Sequence, residues 1–365
     1  MILPIWILTF LLFNISSSYS DGNQTVVKYS GAENSLQGRI SWALHESQTR
    51  QFRDGYWIVY SIQRLMEINA TIGSYSSNLY SKRPSLSELI TGITLPSDNY
   101  IEREMTTGED DTLVMKDIGI CIHYDHEGEN TVENIVISNL SFHVDLDGDP
   151  LIWIGQAKDY ESITFLKTLL PSCTTIDKRR DVVTAVGLHA PSKEGCDFLT
   201  DIIRNGKETA LRKNAVFWLG QQNSMAALEI LKATISTEPT AHIQEQAVFA
   251  ISQMTIESSI DTLIALARSA NDGDVRSKAI FWLGQKASTK AEKILEEIAY
   301  TDDDTEVQRS ALFALTQSDN NDAIPALIKI AKNHPNSKIR KDAIFWLGNS
   351  EDPQALEALV EIVKK

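Results

Sequence analysis

The chain is 365 residues long, with 42% hydrophobic and 23% charged residues and a formal net charge of −15. That content excludes wholesale disorder and a multispanning membrane protein, and the length leaves room for about two or three domains. The acid excess argues against nucleic acid as a partner, because phosphate binding needs clustered Lys and Arg to displace counterions; a soluble body, or a partner with a basic surface, fits it better.

At the N-terminus, residues 2–15 are almost wholly apolar, and Ser16-Ser17-Ser18-Tyr19-Ser20 follows before Asp21. An apolar run ending in small residues has the form of a cleaved secretory signal peptide over residues 1–20, with Ser18 and Ser20 at the cleavage site. It departs from that form in holding no Lys or Arg, which leaves the α-amino group as its positive charge. The run is short for a membrane-spanning helix, which takes about 20 apolar residues; an uncleaved anchor is the alternative. The expectation is an exported protein, periplasmic or secreted, with no membrane span in the mature chain. Its cysteines are Cys121, Cys173 and Cys196. Cys173 and Cys196 are near enough in sequence to tie adjacent helices; otherwise all three are small buried hydrophobes.

Residues 21–155 carry no repeat and read as a small α+β module. β-formers concentrate in residues 56–62, 118–123, 135–137 and 141–144, each the length of a short strand. Residues 125–130 make a polar turn between two of these, and residues 39–66 hold helical stretches before and after the first strand. Leu151-Ile152-Trp153-Ile154-Gly155-Gln156 echoes the wording of the repeats that follow, and residues 163–170 have a helical pattern, so the module hands over to the repeats there.

The module offers little chemistry. Asp145-Leu146-Asp147-Gly148-Asp149 resembles part of a calcium loop, but the required Gly and bidentate acid would fall on Pro150 and Gln156, so an acidic turn is the better reading. His45-Glu46 and His126-Glu127 lack the second histidine of a zinc-protease helix; Thr49 and Asn130 stand there instead. His123, His126 and His143 with Asp145 would form a metal or ligand site only if neighbouring strands bring them together; the plainer alternative is three unrelated strand-surface histidines. Asn-x-Ser/Thr triplets at Asn23, Asn69 and Asn139 matter only in a eukaryotic source. No nucleophile elbow, phosphate loop or dinucleotide fingerprint occurs, and no cofactor is implied.

The rest of the chain is dominated by one phrase. Val216-Phe217-Trp218-Leu219-Gly220 recurs as Val248-Phe249-Ala250-Ile251-Ser252, Ile280-Phe281-Trp282-Leu283-Gly284, Leu312-Phe313-Ala314-Leu315-Thr316 and Ile344-Phe345-Trp346-Leu347-Gly348, and the interval from Val216 to Val248 is kept at every step. Ala215, Ala247, Ala279, Ala311 and Ala343 share one position, and Leu231, Leu263, Leu295, Leu327 and Leu359 another. A weaker copy lies upstream around Arg180 and Ala185. Chance does not keep such copies in register, so this is a true internal repeat.

Each unit reads as two helices. Val275, Ala279, Trp282 and Leu283 make one face of the first; Ala291, Ile294, Leu295 and Ile298 make one face of the second. Gly284 is suited to the left-handed position that ends many helices. Ser224, Ser288, Asn320 and Asp352 are cap-competent, the last followed by Pro353. A lone pair this short cannot hide its apolar stripe, and stacking neighbours does so at about 1.5–3 kcal/mol per fully buried Phe or Leu. The fold class is therefore mainly α: an α-α solenoid of about six pairs over residues 156–365, after the smaller α+β module.

Two alternations suggest a binding surface. Trp218, Trp282 and Trp346 alternate with Ala250 and Ala314, so the true period is a double unit. Arg212, Arg276 and Arg340 alternate with Gln244 and Gln308. The indoles either interdigitate in the core or line a gripping surface; the arginines either bond helix ends and inter-repeat Asp residues or face an anion. Glu357, Glu361, Lys364 and Lys365 give the last helix a charged face, as a terminal cap would have.

Val275-Arg276 ahead of Ala279, and Ala323-Ile324-Pro325-Ala326-Leu327 opening a second helix, resemble HEAT repeats, especially the short class named for phycobilisome lyases. Phe281-Trp282-Leu283-Gly284-Gln285 is also similar to exported bacterial HEAT-repeat proteins. The resemblance covers about half the chain; it implies an α-solenoid and no particular activity, since this repeat serves many tasks. Deoxyhypusine hydroxylase, another HEAT-repeat protein, holds two irons with His-Glu pairs; His189, His242 and His334 are none of them followed by Glu. Export and the extra module weigh against a phycobilin lyase. The expected function is an exported, non-enzymatic scaffold that binds a protein partner through the solenoid, in a bacterium at the envelope. An enzyme or metal-binding site in the N-terminal module or its seam with the solenoid, and a homo-assembly module, are the alternatives.

Overall fold

The structure is a computed structural model that describes residues 24–52, 54–68, 70–73, 84–93, 112–125, 131–286, 289–317 and 323–364. The apolar leader, Asn23, Asn69, His126, Ser288 and Asn320 lie outside the described residues. The chain divides into two compact units at residues 215 and 216.

The first unit is built on a five-stranded mixed sheet with strand order β1-β5-β2-β3-β4. Its strands are β1 (Val26–Lys28), β2 (Tyr56–Glu67), β3 (Leu113–Tyr124), β4 (Val132–Asn139) and β5 (Leu151–Gln156). β5 runs parallel to both β1 and β2, whereas β3 is antiparallel to β2 and β4. The run Tyr56–Ser61 is buried throughout because β2 is central and covered on both faces. Trp57 and Val59 point into a cluster with Leu86 and Ile90 of α2 (Leu86–Thr91), Cys121, Val144, Leu146 and Leu151. On the other face Tyr60 reaches α3 (Asp159–Leu169), where its hydroxyl meets Ser162 Oγ at 2.9 Å and its ring meets Phe165 edge-on. From α1 (Leu36–Arg50), Arg39 donates to the Ile154 carbonyl at 2.6 Å and ties helix to sheet.

The α+β module expected from the sequence is therefore present, with three local differences. β2 continues to Glu67, where a helical stretch was expected, because its ladder with β3 holds register as far as the Glu67–Leu113 pair. Residues 141–144 form a turn rather than a strand: the Leu140 and Phe142 carbonyls accept from the backbone of Ser87 and Leu86, so this segment serves the start of α2. The segment that echoes the repeat phrase is strand β5; its β-branched and aromatic residues pair between β1 and β2. All three cysteines are buried thiols, and no bridge joins Cys173 to Cys196. Burial pushes the Cys121 thiol up to about 12 and that of Cys173 up to about 11, which leaves them as core hydrophobes rather than nucleophiles.

Helical pairs follow: α4 (Ile176–Gly187) with α5 (Lys193–Asn205), α6 (Thr209–Gln221) with α7 (Met225–Thr237), α8 (Ala241–Gln253) with α9 (Ser258–Ser269), α10 (Gly273–Gly284) with α11 (Thr289–Thr301), α12 (Thr305–Thr316) with α13 (Ala323–Asn333), and α14 (Ser337–Gly348) with α15 (Pro353–Val363). From Thr209 to Ser337 the first helices begin at equal intervals, in step with the sequence repeat. Ser224 accepts from the Ala227 amide and Asp352 from that of Gln354, so both caps are in place. In the second unit, first helices α8, α10, α12 and α14 pack in series, and each second helix packs on the first helix of the next pair.

The phrase glycines have a different role from the one the sequence suggested. Gly284 is the last residue of α10, the cap after it is right-handed Gln285, and Gly284 is not among the glycines with positive φ. A Cβ on Gly284 would sit 2.9 Å from both the Cβ and the carbonyl oxygen of Ala314; one on Gly220 would meet Ala250 at 2.9 and 3.0 Å. Glycine is needed for close approach between neighbouring first helices. This accounts for the double period: a Trp-Leu-Gly unit must be followed by a unit with alanine in the tryptophan position.

Candidate functional site: an aromatic stripe on the first helices

The outermost side chain of each phrase is its phenylalanine. At about 100° per residue, the position between Ile280 and Trp282 falls on the side of the helix away from the buried face that carries Val275, Ala279 and Leu283. Phe217 and Phe249 are half-buried, Phe281 is 39% exposed, Phe313 38% and Phe345 61%. The rings form ladders. Phe217 stacks on Phe249 (6.4 Å, 15°), Phe249 meets Trp282 at 5.0 Å, and Trp282 meets Phe281 edge-on at 5.0 Å. Phe313, Trp346 and Phe345 repeat the pattern at 5.6 and 5.2 Å. Each half-buried indole thus fills the space over the preceding alanine unit and supports the exposed rings.

The flanks are polar. One turn beyond each ring stand Gln253, Gln285, Gln317 and Asn349; Asn349 Nδ2 donates to the Phe345 carbonyl. Before the rings, the charges are paired between repeats: Lys278 with Glu245 at 3.7 Å and Arg309 with Asp342 at 2.7 Å. Two aromatic clusters on the first helices, rimmed by amides and paired charges, have the make-up of a protein contact surface.

The six residues singled out from the sequence divide. Trp218 is buried, while Trp282 and Trp346 are half-buried members of the stripe. Arg212 donates to the Ile203 carbonyl at 2.6 Å, Arg276 to that of Ala270 at 2.8 Å, and Arg340 to that of His334 at 2.6 Å. Arg276 also lies 3.2 Å from Asp302. Gln244 and Gln308 reach helix-end carbonyls in the same way, so this row closes the last turn of each preceding second helix. The phenylalanine column was the missed feature. Its signal was available: five identical aromatics at a position that the apolar face does not require.

In the first unit, His123 pairs with Asp149 at 2.8 Å and lies against Trp57, whereas His143 bonds the Pro84 carbonyl. Among the described residues, they form no metal-holding group with Asp145. In the repeats, His189 and His334 are buried against carbonyls and His242 is exposed. Among the described residues, no group of three or more His, Cys, Asp or Glu could hold a metal ion. Nor, among them, is any helix long and apolar enough to cross a membrane.

The family model for HEAT repeats matches residues 196–284, 260–331 and 291–365. Among solved structures, human deoxyhypusine hydroxylase in complex with glycerol is 18% identical over 55% of this chain and 77% of its own, with a TM-score of 0.26. YibA of Escherichia coli is 19% identical over 56% and 76%, with a TM-score of 0.32. The complex of CpcE and CpcF of phycocyanin lyase from Nostoc sp. PCC7120 is 17% identical over 56% and 88%, with a TM-score of 0.29. No curated protein matches the chain.

Proposed function

We propose that this HEAT-repeat chain is a non-enzymatic scaffold, exported through its apolar leader to the periplasm or outside the cell, that holds a protein partner on the aromatic stripe of its first helices. The observation that carries the reading is the exposed ring series Phe281, Phe313 and Phe345, supported from beneath by Trp282 and Trp346. Aromatic anchors held rigidly by their neighbours lose little entropy on binding and dominate interface energetics. Arg212, Arg276 and Arg340 serve the site indirectly, by fixing the helix ends that set the spacing of the rings.

The test is capture of partner from an extract of the native compartment, with wild type and the double variant Phe281→Glu/Phe313→Glu compared by quantitative crosslinking. Wild type should retain a stoichiometric protein. The variant should lose it by about a hundredfold or more, since two hot-spot aromatics together are worth up to about a thousandfold, while keeping its helical spectrum and unfolding midpoint. Equal retention by both proteins removes the stripe from the function. The captured wild-type chain should begin at or near Asp21; a chain still beginning at Met1 removes the cleaved-leader part of the proposal.

A further inference from the structure

The sheet unit holds a cleft of about 680 Å³ where its parallel ladder ends. Pairing between β2 and β5 stops at Ser61 and Gln156, and the Ala157 amide closes it by donating to the Ser61 carbonyl at 2.8 Å. Pairing between β2 and β3 runs on to Glu67. The edge of β2 beyond Ser61 is therefore left unpaired by β5, and Gln63, Arg64 and Leu65 line the cleft there. The turn from β5 into α3 adds Lys158 and Asp159 to the lining. A crevice past the carboxyl end of a parallel strand, where the next helix starts, is a common seat for a small ligand.

Two cations of this cleft lack a direct partner. Among the described residues, the side chains of Arg64 and Lys158 make no ion pair and no hydrogen bond, in a chain whose net charge is −15. Burial pulls the half-buried Arg64 guanidinium below its ordinary range, although the nearby Asp159 opposes that. His189 lies behind the lining residue Ala190; its Nδ1 donates to the Ala185 carbonyl at 2.7 Å, and burial favours its neutral form. The charges at the cleft are thus Arg64 and Lys158 against Asp159, a net positive site that suits a monoanion. A phosphate dianion would leave negative charge over beside Asp159. Leu65 and Met115, both exposed, add apolar surface next to the guanidinium. We propose that this cleft binds a carboxylate joined to an apolar group, with the carboxylate on Arg64 and Lys158 and the apolar part on Leu65 and Met115. A planar guanidinium meets a carboxylate through two parallel hydrogen bonds. Two sources carry this chemistry, a free aliphatic acid and the C-terminus of a peptide, whose backbone could also bond the unpaired edge of β2. The site is separate from the aromatic stripe and does not rest on it.

The experiment titrates the full chain with hexanoate, with the tripeptide acetyl-Ala-Ala-Leu, with the amide of each, and with inorganic phosphate. Calorimetry gives the affinity, and the backbone amide shifts of Gln63, Leu65 and Lys158 give the place. At least one of the two acids should bind once per chain and move those three signals; whichever binds more tightly names the source. Its amide should bind about tenfold more weakly or worse. Arg64→Gln should weaken the acid by about tenfold or more, and Lys158→Ala, at an exposed position that leaves the fold intact by circular dichroism, by about threefold. Phe281→Glu/Phe313→Glu should bind the acid as wild type does, so this site and the partner-binding stripe fail independently. No saturable binding of either acid up to about 10 mM, equal affinity for acid and amide, tighter binding of phosphate, or indifference to the Arg64 and Lys158 substitutions overturns the proposal.

Discussion

Replacing Gly284 by Val should destabilise the unit of residues 216–364 by about 3 kcal/mol, at the upper end of the usual cost of overpacking. Two effects compete. Valine gains a few tenths of a kcal/mol over glycine in a helix, but its Cβ would lie 2.9 Å from the Cβ and carbonyl oxygen of Ala314, with two further methyl groups beyond it. One of those atoms is backbone, so no rotamer change relieves the overlap, and α10 and α12 must separate. At about 2–4 °C per kcal/mol for a unit of this size, the unfolding midpoint should fall by about 10 °C. Gly348→Ala is the control. With nothing within 4 Å of its Cβ, it should stabilise dilute protein by about 0.5–1 kcal/mol through helix propensity alone. Thermal and urea unfolding read by far-ultraviolet circular dichroism decide the matter. If Gly284→Val unfolds at the wild-type midpoint, close helix approach is not what the glycine provides.

Trp57→Ala should cost the sheet unit about 3–5 kcal/mol, the range for deleting a fully buried indole. Trp57 lies on central strand β2, is 1% exposed, packs in the cluster of Leu86, Ile90, Val144 and Leu151, and covers His123 at 4.8 Å. Its indole N–H also donates to the Leu146 carbonyl at 3.1 Å, and losing it leaves that acceptor buried without this donor. Trp57→Phe keeps most of the volume and loses the hydrogen bond, so it should cost about 1–1.5 kcal/mol. Amide exchange gives a local readout: protection across β2, β3 and β5 should drop by about two to three orders of magnitude in the alanine variant. Unchanged protection there would mean that the cluster does not hold the sheet together.

The variants differ in how far their reasons can be read along the chain. Gly284 and Phe281 both belong to the repeated phrase, and the sequence marks both as important without saying for what. A glycine at a helix end reads as a left-handed cap, the commonest local use. Only the neighbouring α12, a whole repeat further along the chain, shows that space is the constraint. In the same way the indoles attract attention as anchors, but which ring of the phrase faces outward depends on how far one first helix is rotated against the next. That rotation set Trp218 inside, left Trp282 half-covered and put Phe281 at the surface.

What the sequence determined by itself was everything with a local period: the repeating unit, its two helices, the caps at Ser224 and Asp352, the alanine and leucine core positions, and the alternation of tryptophan with alanine. Strand candidates at residues 56–62 and 118–123 were equally visible, because β-branched and aromatic runs are short-range signals. Tertiary structure alone decided pairings between distant segments. It made the segment Leu151–Gln156 a parallel strand beside β2, paired His123 with Asp149, and set Gly284 against Ala314. The physical reason is common to all of these. Periodicity is written in neighbouring residues, whereas a hydrogen-bond ladder, a close helix approach or an uncovered surface is a relation between segments whose distance only the folded chain fixes.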